Sequence, residues 1–293
     1  MDVAVAEYLD VAEEVINRGG PEVSEYEYLK NIPQGMSLLT IAEQKMVYEL
    51  LSPLLTVNSM LGFTFQKPHG YAGDYELINR IYSQWVSTDN NLSKWDHFFH
   101  SLEAAEAVRN REPYFIDLVN KTESRVANAR ILNLGSGPCR DLYGFLSSKR
   151  QHQLRFECLD MDKVAIDFGE TVCDNYLEHV TFINKNALKF DPGYQYDLIW
   201  SAGLFDYFND KIFIRLVRRI YNLLETGGEL VIGNFSTDNP SKEIMELYGQ
   251  WYLHHRDAET LTDLGLKAGI PKECINVSQE KVGVNLFLHL RKN

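Results

Sequence analysis

Gly135-Ser136-Gly137 follows directly on the apolar run Ile131-Leu132-Asn133-Leu134. Glycine has no Cβ, so a strand-to-helix turn of this composition lets bare backbone N–H groups come close to a ligand. A second strand-like run, Arg155-Phe156-Glu157-Cys158-Leu159, ends at Asp160. A carboxylate there can accept hydrogen bonds from both hydroxyls of a ribose. Asp162 competes for that role, and Asp160 can instead cap the helix that follows. Turn and carboxylate together imply a nucleoside-bearing ligand.

Two other segments carry side chains suited to a second ligand. Phe63 to Tyr75 holds Lys67-Pro68-His69-Gly70-Tyr71-Ala72-Gly73-Asp74-Tyr75, a composition poor for a core and good for a lid or binding loop. A structural helix-entry loop is the plainer alternative. Asn234-Phe235-Ser236 leads to Met245–Arg256, which reads as a helix ending at Arg256 and carrying Trp251, Tyr252, His254, His255 and Arg256. Aromatics beside cations suit an acid-bearing or oxygen-rich ligand, and an ordinary amphipathic helix is again the alternative.

The elements that must position these residues fall into two patterns. Residues 1–125 read as helices and polar turns, among them Leu38–Leu55, a helix capped by Asp74 with Leu77, Ile78, Ile81 and Trp85 on its apolar face, and Leu102–Val119. From residue 126 strands and helices alternate: strands at 131–134, 155–159, 180–183, 196–200 and 229–233, with helices from Asp141 and near Val164. Ile212, Phe213, Leu216, Val217, Ile220, Leu223 and Leu224 form one apolar helix face, and Gly227-Gly228 is expected to end that helix. Alternation of this kind builds a doubly wound, mostly parallel α/β sheet. Glu273–Ser278 and Asn285–Leu290 are too close together for a helical crossover, so they must form an antiparallel hairpin at the sheet edge.

Composition narrows the function classes. The chain has 293 residues, 45% hydrophobic and 24% charged, with 29 Lys+Arg against 41 Asp+Glu and a formal charge of −12. That balance argues against a nucleic-acid partner, although a local basic patch is compatible with it. The four cysteines are scattered without a C-x-x-C pair, and the acidic N-terminus lacks the basic start of a signal peptide, so a reduced, cytoplasmic protein is expected. No apolar run has the length of a membrane span. His254 and His255 are adjacent and would point to different sides of a helix, and no ligand cluster calls for a metal.

An NAD-binding turn would read G-x-G-x-x-G, whereas here Arg140 stands at the third glycine position. The glycine turn, Asp160, Asp197, Gly227-Gly228 and the closing hairpin together resemble the class I S-adenosylmethionine-dependent methyltransferases across residues 129–292. The resemblance implies a Rossmann-like sheet of seven strands with the last one antiparallel, over residues 126–293, and a helical substrate lid over 1–125. It implies S-adenosylmethionine as cofactor, with the methionine part over Gly135, Ser136 and Gly137, the ribose on Asp160 and the adenine against Met161. Asn186 and Ala187 stand where the family meets the adenine amino group, though Asn186 can equally be a turn residue. Ser201, Ala202 and Gly203 would line the cofactor near the methyl group. Arg109 or Arg111 would hold its carboxylate, a solvated surface being the alternative for each.

The Lys67–Tyr75 and Trp251–Arg256 segments are similar to those of a bacterial group associated with biosynthesis of an extracellular factor, 3-hydroxypalmitic acid methyl ester. This resemblance implies O-methylation of a small molecule; N-methylation and a non-catalytic cofactor-binding protein are the alternatives. A carboxylate acceptor is ionised at neutral pH and needs only a cationic clamp such as Arg256 or Lys67. A hydroxyl or amine would use His69, His254, His255 or Asp206 as base. Tyr71, Tyr207, Phe235, Trp251 and Tyr252 would line the substrate and enclose the sulfonium. The helical part can cover its own pocket or, in a homodimer, a neighbour's.

Overall fold

The computed structural model describes residues 3–31, 39–148 and 153–293. The chain divides into two compact units, one of Met1–Glu106 with Pro240–Tyr252 and one of Ala107–Asn239 with Leu253–Asn293.

The first unit contains α1 (Val3–Asn17), α2 (Tyr26–Asn31), α3 (Ile41–Leu51), α4 (Met60–Gln66), α5 (Tyr75–Tyr82), α6 (Asn90–His100) and the later α11 (Lys242–Gly249). Thr40 caps α3, accepting from the Glu43 N–H, so this helix starts at Ile41; Leu38 lies outside the described residues. The Asp74 carboxylate caps α5, accepting from the N–H groups of Glu76 (3.0 Å) and Leu77 (2.9 Å). The helix ends at Tyr82, so Trp85 lies beyond it. Helix α4 is almost wholly buried, and its start is held by the buried Asp96 carboxylate, which accepts from Met60 N (2.7 Å) and Ser87 N (2.8 Å).

In the second unit, α7 (Glu103–Arg125, from Ala107 on) precedes β1 (Arg130–Leu134), α8 (Arg140–Ser148), β2 (Arg155–Asp160), α9 (Lys163–Val172), β3 (Val180–Asn184), β4 (Tyr196–Ser201), α10 (Asp210–Tyr221), β5 (Leu224–Phe235), α12 (Ala258–Lys267), β6 (Ile275–Gln279) and β7 (Asn285–Arg291). The sheet order is β3-β2-β1-β4-β5-β7-β6. The first five strands are parallel, while β7 runs antiparallel to both β5 and β6. This is a seven-stranded Rossmann-like sheet with its last strand reversed, as the resemblance implies. Its order switches direction between β1 and β4, and ligands of such sheets lie at the carboxyl ends of the strands at that switch. Asn209 caps α10, whose Phe213, Leu216, Val217 and Ile220 are buried in the core with Tyr196, Ile199 and Leu230.

Two expectations need correction. Gly227-Gly228 does not end a helix: α10 stops at Tyr221, and β5 runs unbroken through the glycine pair. Leu223 therefore lies past α10, and Leu224 opens the strand. Gly227 adopts φ +80°, and a Cβ on Gly228 would stand 2.9 Å from the Tyr196 carbonyl oxygen, so the pair permits a bulged strand. Residues 250–256 are not helical either. Gln250 takes the left-handed conformation that terminates α11, and the chain continues to Arg256 without helix.

Candidate active site

At the end of β1, Gly135 and Gly137 both take left-handed φ, +67° and +49°. The turn is bound to the end of β2: Gly135 N donates to the Leu159 carbonyl (2.8 Å), and Gly137 N donates to Oδ2 of Asp160 (3.0 Å). Asp160 Oδ1 accepts from Asp162 N (3.0 Å), and burial raises the carboxyl above the usual carboxylate range. Each carboxylate oxygen keeps a lone pair for a ribose hydroxyl. Asp162 is the residue that caps α9, accepting from Val164 N at 2.9 Å. A Cβ on Gly137 would meet nothing within 4 Å, whereas one on Gly135 would press on the Leu204 side chain at 3.0 Å. Ser136 is buried, and its Oγ has no hydrogen-bond partner among the described residues. A buried hydroxyl without a partner beside open space fits a polar ligand lying over this turn.

The remaining expected cofactor residues divide by what they touch. Met161 is 71% exposed beside Asp160, an apolar side chain available to a flat base. Asn186 caps a short turn through its Oδ1, which accepts from Leu188 N (2.8 Å), with Ala187 next to it. Ser201 is buried and donates to the Leu134 carbonyl (2.8 Å), tying β4 to β1. Ala202 is buried and Gly203 is exposed. Arg109 is half-buried on α7. Arg111 on the same helix is buried, with Nε and Nη2 on Asn285 Oδ1 (2.9 and 2.6 Å). Its Nη1 lies 3.2 Å from where a Cβ on Gly203 would stand.

Sequence reading missed the groups that hold these pieces in place. Asp141, buried in the first turn of α8, accepts from Trp200 Nε1 (2.6 Å) and Leu142 N (2.8 Å), with Asn133 Nδ2 at 3.3 Å. Asn184 Nδ2 donates to the carbonyls of Asp160 (3.1 Å) and Met161 (3.0 Å). An acid in a helix's first turn and an amide at a strand end are common enough that neither stands out in the sequence.

Among the expected catalytic and substrate residues of this unit, Tyr207 is partly exposed, Phe235 is buried at the end of β5, and His254 is exposed. Arg256 is buried with its guanidinium committed inside the protein. Nε and Nη2 bind Asp210 (3.1 and 2.9 Å), Nη2 also meets the Phe208 carbonyl (2.6 Å), and Nη1 meets Asn234 Oδ1 (2.8 Å). That set of partners leaves it a poor clamp for a substrate. Both ring nitrogens of His255 are engaged, Nδ1 with the Leu253 carbonyl and Nε2 with Asn239 (3.2 Å each).

Asp206 is likewise internal. Its Oδ1 accepts from Phe235 N (2.7 Å), and its carbonyl accepts from His254 N (2.8 Å). Burial pushes the carboxyl up to about 6, against the opposing pull of Arg111 and the Phe235 N–H. The folded state therefore holds a proton that the unfolded chain releases near the ordinary carboxyl value. Stability should be highest below that value and fall as pH rises toward 6, by up to about 3 kcal/mol. Asp206→Asn is expected to flatten this part of the pH–stability curve, read from urea midpoints between acidic and neutral pH. An unchanged slope would mean that another group carries it.

The first unit holds the other candidates. His69 Nε2 pairs with Glu76 Oε2 (2.8 Å), and its ring lies 4.6 Å from that of Tyr75. Lys67 terminates α4 in a left-handed conformation, and burial lowers its pKa. Trp251 is buried, while Tyr71 and Tyr252 are exposed. Among the described residues, no group of three or more His, Cys, Asp and Glu could hold a metal ion, and no helix is long and apolar enough to cross a membrane.

A family model described as a methyltransferase domain matches residues 131–228. Mouse (Mus musculus) arsenite methyltransferase is 31% identical over 133 residues, which is 42% of this chain and 34% of that protein. The chain thus spans about a third of the length of this curated relative. A solved structure described as a possible exported protein from Bordetella parapertussis superposes with TM-score 0.70 at 19% identity, over 99% of this chain and 96% of that one. The CMeT domain of the citrinin polyketide synthase superposes with TM-score 0.56 at 13% identity, over 93% and 80%.

Proposed function

We propose that the protein uses S-adenosylmethionine to methylate a small molecule, with oxygen as the favoured acceptor atom; the match of residues 131–228 to a family model for a methyltransferase domain supports this reading. The observation that carries the reading is the cradle at the switch point, where buried Ser136 Oγ lacks a partner among the described residues and the space above Gly137 is open. When bound, the cofactor supplies a methyl group on a sulfonium, ready for in-line displacement. The chain's own task is alignment. Gly135 and Gly137 admit the ligand to the backbone, Asp160 takes the ribose hydroxyls, and Met161 and Ala187 flank the base. Arg111, whose Nη1 lies beside Gly203 just past the end of β4, is placed to neutralise a carboxylate there.

The finer reading is membership of the extracellular-factor group, with an O-methylated product, a carboxyl methyl ester among the options. Its support is the composition of Lys67–Tyr75 and Trp251–Arg256. The four buried free thiols are in keeping with a cytoplasmic location. Within this proposal His69, held by Glu76, is the base for a hydroxyl acceptor. His69→Ala is then expected to lower turnover by at least about tenfold while leaving affinity for S-adenosylhomocysteine unchanged. Equal turnover would remove His69 from the chemistry.

The acceptor is found by incubating the protein with methyl-labelled cofactor and a panel of hydroxy acids, fatty acids, phenols and amines. Label in an ester or ether is the expected result. Label confined to amines would overturn the preference for oxygen, and binding without transfer to any class would favour a non-catalytic cofactor-binding protein.

A further inference from the structure

We propose that the outward face of α10 docks an acidic helix of a partner protein. The chain carries a net charge of −12, yet Lys211, Arg215, Arg218, Arg219 and Lys267 line one groove of about 960 Å3, with Asp191 its single acidic residue. Lys211, Arg215, Arg218 and Asn222 stand at i, i+4, i+7 and i+11, so they share one side of the helix. At 1.5 Å per residue the row is about 16 Å long.

Two of the cations are fixed in place. Arg218 donates from Nε to the Ala268 carbonyl (3.2 Å) and from Nη2 to the Lys267 carbonyl, and Arg219 Nη2 donates to the Phe190 carbonyl (2.7 Å). These bonds go to neutral oxygens and leave the charges uncompensated. The Nε of Arg219 is buried and has no partner among the described residues. The side chains of Lys211, Arg215 and Lys267 make no hydrogen bond or ion pair among the described residues. Other exposed helices of this protein neutralise their lysines with acids one turn away, as in Lys45–Glu49, Lys121–Asp117 and Lys163–Asp167. Helix α10 instead carries like charges at that spacing, an arrangement that destabilises an isolated helix.

The shape of the array selects its occupant. A single phosphate would meet only one end of a row this long. A flat anionic bilayer would meet only the rim of a groove, not the side chains that line it. A short helix with carboxylates at i, i+4 and i+7 faces Lys211, Arg215 and Arg218, and a fourth at i+11 meets the Asn222 amide. The half-buried Ile214 and Leu223 in the same groove offer apolar contact to its aliphatic stems.

The test uses the full chain and two fluorescein-labelled peptides of identical composition. One has glutamates on a single helical face at the stated spacing; the other has them distributed round the helix. At physiological ionic strength, anisotropy is expected to show the striped peptide binding about tenfold tighter or better, with Arg215→Glu and Lys267→Glu each removing at least that advantage. Both variants change exposed side chains outside the cofactor cradle, so affinity for S-adenosylhomocysteine should be unchanged and reports that they fold. Equal binding of the two peptides, or binding indifferent to both reversals, would overturn the proposal. So would an Arg215 dependence seen with phosphatidylglycerol vesicles or tripolyphosphate and not with the peptide.

Discussion

Arg256→Ala is expected to lower the stability of the protein by about 3 kcal/mol, an effect on folding rather than on a substrate contact. The guanidinium is 3% exposed and stacks 4.8 Å from the Phe213 ring centre while donating to Asp210, Asn234 and the Phe208 carbonyl. Removing it leaves buried acceptors without donors and opens a cavity against the core. Asp210 is 62% exposed and can turn to water, so the cost comes chiefly from the buried Asn234 oxygen and the half-buried Phe208 carbonyl. Urea unfolding at neutral pH reads the loss as a lower midpoint. Arg256→Lys should recover part of it, since one ammonium can serve only some of those acceptors. A variant with an unchanged midpoint and lost turnover would return Arg256 to the substrate.

Asp160→Ala should weaken binding of S-adenosylhomocysteine by about 10- to 100-fold, the loss of hydrogen bonds to a charged acceptor. Two effects act together. The carboxylate that the proposed function sets against the ribose is gone, and Gly137 N loses the oxygen that fixes the turn. Asp160→Asn separates them, because its amide oxygen can still accept from Gly137 N while the charge is gone. Calorimetric titration of the three proteins is expected to rank them native, Asn, Ala in falling affinity. Equal affinity across the series would take Asp160 out of the site.

The fold was legible wherever local pattern and topology agree. Short apolar strands alternating with helices imply a parallel sheet, and the few residues between Ser278 and Asn285 leave room only for a hairpin, as found in β6 and β7. The turn conformation at Gly135 and Gly137 was readable because glycine tolerates positive φ where a strand ends, and the structure joins it to Asp160 at the end of the adjacent strand. Failures came where tertiary contacts decide. Gly227-Gly228 looks like a helix stop, but its close fit to the Tyr196 carbonyl makes it part of β5. Trp251–Arg256 has an aromatic and cationic composition that a helix would accept, yet Gln250 ends α11 before it. Arg256 resembles a solvent-facing clamp in sequence, and only the folded chain brings Asn234, Phe208 and Asp210 to it. Asp206 shows the same limit: its residue type suggests a base, while its partner, the Phe235 N–H, comes from the end of β5, distant in the chain.

The central claim is that the Gly135–Gly137 turn and Asp160 form a cradle for S-adenosylmethionine. Isothermal titration of the native protein with S-adenosylhomocysteine and, separately, with NAD tests it most directly. The expected result is saturable one-to-one binding of S-adenosylhomocysteine and no heat of binding with NAD. Binding of NAD with no affinity for S-adenosylhomocysteine would contradict it.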